Sequence, residues 1–192
     1  MTFAPQQRIE IRPPDAAWQR RGAELAAELR TALAPLALHV DHIGSTAIPG
    51  MAAKPVIDLQ ASVADLEAAA AAFDRPLAER GFERLPYERD HVPAGRDDDP
   101  AAWAKRFWTR REGEPANLHV RRSGSPNERV ALLFRDWFRA HPDAVPAYAR
   151  FKAMLADAVP DVASYTDLKD PVVDVVVAAA EAWAAATGWV PH

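Results

Sequence analysis

The sequence predicts an α/β fold of the α+β kind, with a mixed β-sheet flanked by helices and a helical C-terminal part. In five stretches apolar residues recur at steps of three and four, as on amphipathic helices. Short runs typical of strands lie between the first three of them, bounded by proline and glycine. At 192 residues we expect one domain, residues 1–192, on which the helices from about residue 127 pack.

The N-terminal part is expected to begin extended over residues 1–14. Asp15 is placed to cap a first helix, which continues to Ala34 and is stopped by Pro35. Residues 36–43 then alternate like a strand. One face of this strand is expected to carry Leu36, Leu38, Val40 and His42.

The middle of the chain predicts a second strand over residues 55–61. Ser62 and Asp65 match a capping box for a second helix that ends at Gly81. Residues 82–85 predict a short third strand, and residues 86–102 a long exposed loop rich in proline and aspartate.

The remaining residues predict a hairpin followed by three helices. Residues 103–110 and 116–122 form the hairpin, whose second strand carries a polar face made of Asn117, His119 and Arg121. Asn127 is expected to cap the next helix, which ends at Pro142, and a further helix runs through Leu155. The last helix is expected to have Asp170 as its N-cap and Gly188 just after its end.

Composition limits the classes of function. No long uncharged apolar stretch is present, which predicts no membrane span, and the absence of a signal-peptide core at the start predicts a cytoplasmic location. The chain has no cysteine, which excludes disulfides, thiolate zinc sites and cysteine nucleophiles. A net charge of -4 gives no general attraction to long nucleic acid, so a small phosphorylated ligand is the expected partner.

Residues 42–60 carry the strongest signal for chemistry. Gly44, Ser45 and Thr46 follow an apolar run, and a glycine turn with hydroxyls and exposed N–H groups suits a phosphate. Asp58 and Gln60 are two apart, so on a strand both point to one face. This arrangement favours a nucleotide and metal site.

Three stretches of the sequence resemble the GrpB family, which is placed in the nucleotidyltransferase superfamily of DNA polymerase beta type. They are HIGSTAIPGMAAKPVIDLQ at 42–60, NLHV at 117–120 and LFRDWFRAHPDAVPAYARFKAML at 133–155. The likeness covers roughly residues 8–182. It implies a nucleotidyltransferase-like mixed sheet, a glycine-serine turn that binds nucleotide phosphates, and a strand carboxylate that holds a divalent cation. Some relatives are joined to dephospho-CoA kinase.

By this resemblance Gly44 and Ser45 stand at the phosphate position, and Asp58 stands at the first metal-binding carboxylate. Gln60 stands where active members usually carry Asp or Glu, and His119 stands where a later strand supplies a third carboxylate. Asp58 and His119 are therefore the candidate catalytic and metal-binding residues. Mg²⁺ or Mn²⁺ is the expected cation, and Zn²⁺ if His119 is a ligand.

Several cationic residues have two interpretations. Lys54 either pairs with Asp58 or contacts a phosphate, and Arg135 either joins a structural network or reaches a phosphate. Lys152 matches a position where relatives also carry lysine, so it is a further phosphate candidate, and Lys169 is another.

The resemblance implies a metal-dependent nucleotidyltransferase that binds a nucleoside triphosphate. Because Gln60 and His119 replace carboxylates, a catalytically degenerate nucleotide-binding or sensing module is the alternative. A structural domain with a vestigial site is a second alternative.

Overall fold

A computed structural model describes residues 9–191 and contains a five-stranded mixed sheet with five α-helices in that range, which confirms the predicted fold class. The strands are β1 (Ala37–Ile43), β2 (Ile57–Val63), β3 (Glu83–Leu85), β4 (Lys105–Arg110) and β5 (Ala116–Arg122). The helices are α1 (Ala17–Ala32), α2 (Leu66–Ala78), α3 (Pro126–Ala140), α4 (Val145–Ala158) and α5 (Val162–Thr187). Part of the extended segment expected at residues 1–14 lies outside the described residues, and the assignment of residues 1–192 to one domain stays a prediction.

The sheet has the strand order β1-β2-β5-β4-β3, in which β2 and β5 are parallel and all other neighbours are antiparallel. One face of the central pair is apolar and packs with α1 and α2, through residues such as Leu59, Leu118 and Leu29. The opposite face carries Asp58 and Gln60 on β2, in register with Asn117 and His119 on β5. The polar residues of the two central strands therefore meet on one face.

The edge strand β1 differs from the predicted alternation. A register shift between Ala37 and His39 breaks the period of two, so Ala37 and Val40 both enter the core while Leu38 is 49% exposed. The expectation that Leu36 and Leu38 share one face with Val40 and His42 was wrong for this reason: Val40 and His42 are buried, whereas Leu36 and Leu38 are exposed.

Three predicted helix starts were wrong. Asp65 alone caps α2 by accepting from the N–H groups of Glu67 and Ala68, because Ser62 still belongs to β2. Ser125, not Asn127, precedes α3. The last helix begins after Asp161, which accepts from the N–H of Ser164, so the predicted cap Asp170 lies inside α5. Gly188 ends α5 in the left-handed conformation as predicted.

The segment 86–102, predicted as an exposed loop, is tied to the sheet and to α5. The Asp90 carboxylate accepts from Lys105 Nζ at 2.7 Å and from Arg121 Nε at 2.8 Å. Asp174 of α5 accepts from the N–H of Ala94 at 2.9 Å. This segment therefore forms one wall beside the polar face of the sheet. Within residues 9–191 no helix combines the length and apolarity needed to cross a membrane.

Candidate functional site

The turn after β1 brings the backbone against Asp58. Gly44 has φ 69° and ψ -168°, a backbone conformation that residues other than glycine rarely adopt. A Cβ at this position would lie 2.8 Å from Asp58 Oδ2. Glycine is therefore required both for the turn and for the close approach to the carboxylate. Ser45–Ala47 continues as a single 3-10 turn.

His42 holds this turn in place. Its Nε2 lies 2.9 Å from Thr46 Oγ1, and that hydroxyl donates to the carbonyl of Val56 at 3.2 Å. Burial, and then the charges of Arg139 and Arg135, lower the pKa of His42 to about 4, so it is neutral at physiological pH. The Thr46 hydroxyl, predicted to bind phosphate, is buried and occupied by these contacts.

Lys152 reaches the turn from α4. Its buried Nζ donates to Ser45 Oγ at 2.8 Å and to the carbonyl of Ala52 at 2.7 Å. Burial, and then the neighbouring charge of Lys169, lower the pKa of Lys152 to about 7. This amino group is thus placed at the serine turn without a carboxylate in contact, and burial makes its charged form costly.

Two more lysines lie around the same site. Lys54 Nζ is 5.2 Å from the centroid of the Tyr165 ring, and burial lowers its pKa although Asp58 acts in the opposite direction. Lys169 of α5 is close enough to act electrostatically on both Lys54 and Lys152. Across residues 9–191, none of these three lysines forms an ion pair within 4.0 Å, and the carboxylate that acts on both Lys54 and Lys152 is Asp58.

The strand carboxylate and its neighbour have different partners. Asp58 Oδ1 accepts from Asn117 Nδ2 at 2.9 Å, and no residue in the described range donates to Oδ2. Gln60 is fully buried, its Oε1 accepts from Arg121 Nη1 at 2.6 Å, and its Nε2 donates to the carbonyl of Glu128 at 3.3 Å. The Gln60 amide therefore joins the sheet to α3 and is not turned toward a ligand.

His119 lies beyond Gln60 on the polar face, with Nδ1 3.2 Å from Arg121 Nη2. A guanidinium only donates, so Nδ1 is the acceptor and the neutral ring carries its proton on Nε2. Burial, and then the charges of Arg121 and Lys105, hold the pKa of His119 well below its usual range. Neither ring nitrogen then presents a lone pair to a cation, so His119 does not fit the expected role of a metal ligand.

The carboxylates of the site do not fit a two-cation centre. Within residues 9–191 no group of three or more His, Cys, Asp or Glu side chains is placed to hold a metal ion. Asp58 Oδ2 remains as one oxygen ligand. One Mg²⁺ or Mn²⁺ that shares Asp58 with ligand phosphates fits this arrangement, since such ions often use only one or two carboxylates.

Arg135 is held away from the lysines by its own contacts. Its Nε donates to Asp136 at 2.7 Å, and its Nη1 donates to the carbonyl of His42 at 3.2 Å and lies 3.6 Å from Asp41. These bonds join α3 to the outer edge of β1 and favour the structural alternative for this residue.

Sequence reasoning missed Asp90 and gave Asn117 no role. Burial alone would raise the pKa of Asp90, but Arg121 and Lys105 hold it well below its usual range. Asn127, predicted as a cap, is buried and donates to Asp90 at 3.0 Å. The alternation of β5 could have identified Asn117, whereas no local pattern distinguishes Asp90 from the other aspartates of its loop.

The fold and site define an α/β protein in which a glycine-serine turn lies against a strand aspartate, with the buried Lys152 and the half-buried Lys54 and Lys169 around it. The family profile described as GrpB protein matches residues 8–179. The chain belongs to the GrpB family.

Individual relatives agree with this assignment. The chain is 38% identical over 198 residues to a dephospho-CoA kinase of Mycolicibacterium paratuberculosis, covering 95% of this chain and 48% of the relative. It is 36% identical to the UPF0157 protein PA4798 of Pseudomonas aeruginosa, covering 88% and 66%. The crystal structure of conserved protein GrpB from Enterococcus faecalis superposes with a TM-score of 0.72 at 25% identity, covering 91% and 99%. The chain spans about half the length of the dephospho-CoA kinases that it matches.

Proposed function

We propose that this protein binds a nucleoside triphosphate, with the phosphates at the Ser45 turn among Lys54, Lys152 and Lys169. The observation that supports this most strongly is the position of Lys152, a buried ammonium group on Ser45 Oγ with no carboxylate in contact. Burying such a charge is costly without an anion. A polyphosphate supplies that anion.

The geometry favours binding over catalysis. Nucleotidyl transfer relies on cations that align the attacking and leaving oxygens and neutralise developing charge. Asp58 would hold one cation, which would offset the repulsion between its carboxylate and the phosphates. Gln60 and His119 are hydrogen-bonded to Arg121 and would not hold a second cation. We therefore propose a nucleotide-binding or sensing module that retains the nucleotidyltransferase-like sheet.

Nucleotidyl transfer is the second candidate. The observation that favours it is the position of the Asp58 carboxylate beside Gly44, where a cation on Asp58 would also lie next to phosphates at the turn. The superfamily resemblance gives this carboxylate the same position. The name of the mycobacterial relatives suggests no separate reaction for this chain, because the chain matches only about half of each.

Binding is tested by isothermal calorimetry with ATP, GTP, CTP and UTP, each with and without Mg²⁺ or Mn²⁺. We expect at least one nucleotide to bind, and Lys152→Met to weaken it at least tenfold. Met154→Ala is the control, since Met154 is on the same helix and 62% exposed. If no nucleotide binds, or if Lys152→Met binds as well as wild type, the proposal is wrong.

Transfer is tested separately with α-labelled triphosphate and candidate acceptors. Wild-type protein is expected to bind without transferring label, and Asp58→Asn to weaken only the cation-dependent part of binding. Transfer that is lost in Asp58→Asn would establish the second candidate instead. Gln60→Asp then shows whether a second carboxylate increases cation affinity, since Asp58 alone provides a weak site.

A further inference from the structure

Aromatic side chains continue the polar face beyond His119. The Phe107 ring packs edge-on against His119 with centroids 4.8 Å apart, and Tyr87 packs edge-on against Phe107 at 5.7 Å. Tyr87 is 59% exposed, so its ring is open to solvent at the end of this row. The exposed Tyr87 ring and the half-buried Phe107 ring thus place an aromatic surface beside the polar face of the sheet, of the kind that ligand-binding sites use.

The strand register fixes the distance between this row and Asp58, the carboxylate that acts on Lys54 and Lys152. Phe107 is opposite His119, His119 is opposite Gln60, and Asp58 lies two residues before Gln60. Strands about 4.8 Å apart with a rise of about 3.3 Å per residue separate Asp58 from Phe107 by about 12 Å. A ligand that contacts both places must therefore join its phosphates to a second group through a linker.

His119 supplies a hydrogen-bond donor at the start of the row. Arg121 occupies its Nδ1, so the neutral ring presents the Nε2–H. Asp90 accepts from Arg121 Nε and Nη2 at 2.8 and 3.1 Å, which fixes the guanidinium and with it the ring. No residue between 9 and 191 accepts a hydrogen bond from Nε2.

We propose that His119, Phe107 and Tyr87 form the subsite for the planar ring of the bound ligand, which is the nucleobase of a nucleoside triphosphate. The base stacks on the exposed aromatic surface, and His119 Nε2–H donates to a carbonyl oxygen or ring nitrogen of the base. Stacking accepts every base, because each has a π-face, and the donor gives a preference among them. This inference rests on the proposed function and adds a second contact region to it.

The test compares nucleoside triphosphates with inorganic tripolyphosphate, which has the phosphates but no ring. We expect the tightest nucleotide to bind roughly 5- to 100-fold more tightly than tripolyphosphate in wild-type protein. Tyr87→Ala is expected to reduce this ratio at least threefold and to leave the affinity for tripolyphosphate unchanged. Tyr87→Phe keeps the ring and is expected to keep the ratio.

The outcomes separate this inference from the proposed function. Equal affinity of wild-type protein for nucleotides and tripolyphosphate, or an unchanged ratio in Tyr87→Ala, overturns the aromatic subsite and leaves the phosphate site in place. If neither probe binds, or if Lys152→Met binds both normally, the proposed function fails and the subsite with it. Because Tyr87 lies at the surface, its substitution is not expected to prevent folding.

Discussion

Lys152 Nζ and Ser45 Oγ are 2.8 Å apart, although 107 positions separate the two residues in the chain. Ser45 begins the 3-10 turn that follows β1, whereas Lys152 belongs to α4 in the helical C-terminal part. The contact between the Ser45 turn and Lys152 therefore forms only when these helices pack on the sheet. Folding of the C-terminal part and formation of the site are linked by this contact.

The first prediction concerns the pH dependence of nucleotide binding. The pKa of Lys152 is about 7 in the free protein, and a bound polyphosphate favours the charged form and raises it. Binding therefore takes up a proton above pH 7, and affinity should fall by up to about tenfold per pH unit as the pH rises from about 7 to about 9. Calorimetry in buffers of different ionisation enthalpy measures this proton uptake.

Lys152→Met is the control for this pH dependence. The phosphates of the nucleotide contribute the same pH dependence to binding by both proteins, so the difference between the two comes from the lysine. The variant should bind weakly and lose the part of the pH dependence that comes from the lysine. Identical pH profiles for wild type and variant would show that Lys152 does not change its protonation on binding.

The second prediction concerns stability. A lysine with a lowered pKa in the folded state destabilises that state wherever the unfolded chain still holds the proton. For Lys152 this destabilisation is complete below its folded pKa of about 7 and is relieved as the pH rises from there to the unfolded value of about 10.5. Over this pH range, the free energy of unfolding of wild type should rise relative to Lys152→Met by roughly 1–4 kcal/mol.

At pH 7 we expect Lys152→Met to be at least as stable as wild type. The variant loses two hydrogen bonds worth about 1 kcal/mol each, but it removes a buried charge without a counter-ion. Urea unfolding at several pH values measures both curves. Parallel curves between pH 7 and 10 would contradict the lowered pKa.

Sequence patterns predicted the elements of this fold better than their contacts. Periodicity located the strands around Asp58 and His119, because one face of each central strand is apolar and the other polar. It missed the register shift at Ala37 and the start of α5, since Pro171 is tolerated inside that helix. These features depend on tertiary pairing, which leaves little local signal.

The same limit applies to the site. The glycine-serine turn and Asp58 were visible from sequence because their spacing is local. Sequence reasoning could not find the role of Arg121, which donates hydrogen bonds to both Gln60 and His119. These bonds depend on the pairing between β2 and β5 and on Asp90, which fixes the guanidinium group. The family resemblance therefore suggested a metal ligand at His119, where the geometry provides a hydrogen-bond donor.

The third prediction concerns Gly44. Gly44→Ala should strain the turn, because φ is +69°, and also displace the Asp58 carboxylate, which would lie 2.8 Å from the new Cβ. Gly113→Ala is the control, since Gly113 has φ +70° but no atom within 4 Å of the position that a Cβ would take. Gly113→Ala should lose about 1–2 kcal/mol of stability from backbone strain alone, and Gly44→Ala should lose more because the clash with Asp58 is added. Only Gly44→Ala should also weaken tripolyphosphate binding, by at least tenfold, and equal binding by the two variants would argue against the proposed site.

The fourth prediction concerns the buried ion cluster around Asp90. Asp90→Asn leaves Lys105 and Arg121 without their counter-charge, which should cost roughly 3–5 kcal/mol of stability in urea unfolding. Asp97→Asn makes the same chemical change at an exposed position of the same loop and should alter stability by less than about 0.5 kcal/mol.

The pH dependence of the Asp90 effect has a defined sign. Its pKa is lowered in the folded state, so its contribution is complete above the unfolded value of about 3.9 and is lost only as the pH falls below it. The difference between wild type and Asp90→Asn should therefore be constant from about pH 8 to about pH 5 and shrink in stronger acid. Since Asp90 also fixes Arg121 and thereby His119, the variant should reduce the preference for nucleotides over tripolyphosphate. A stable variant that keeps this preference would show that the cluster neither supports the fold nor positions His119.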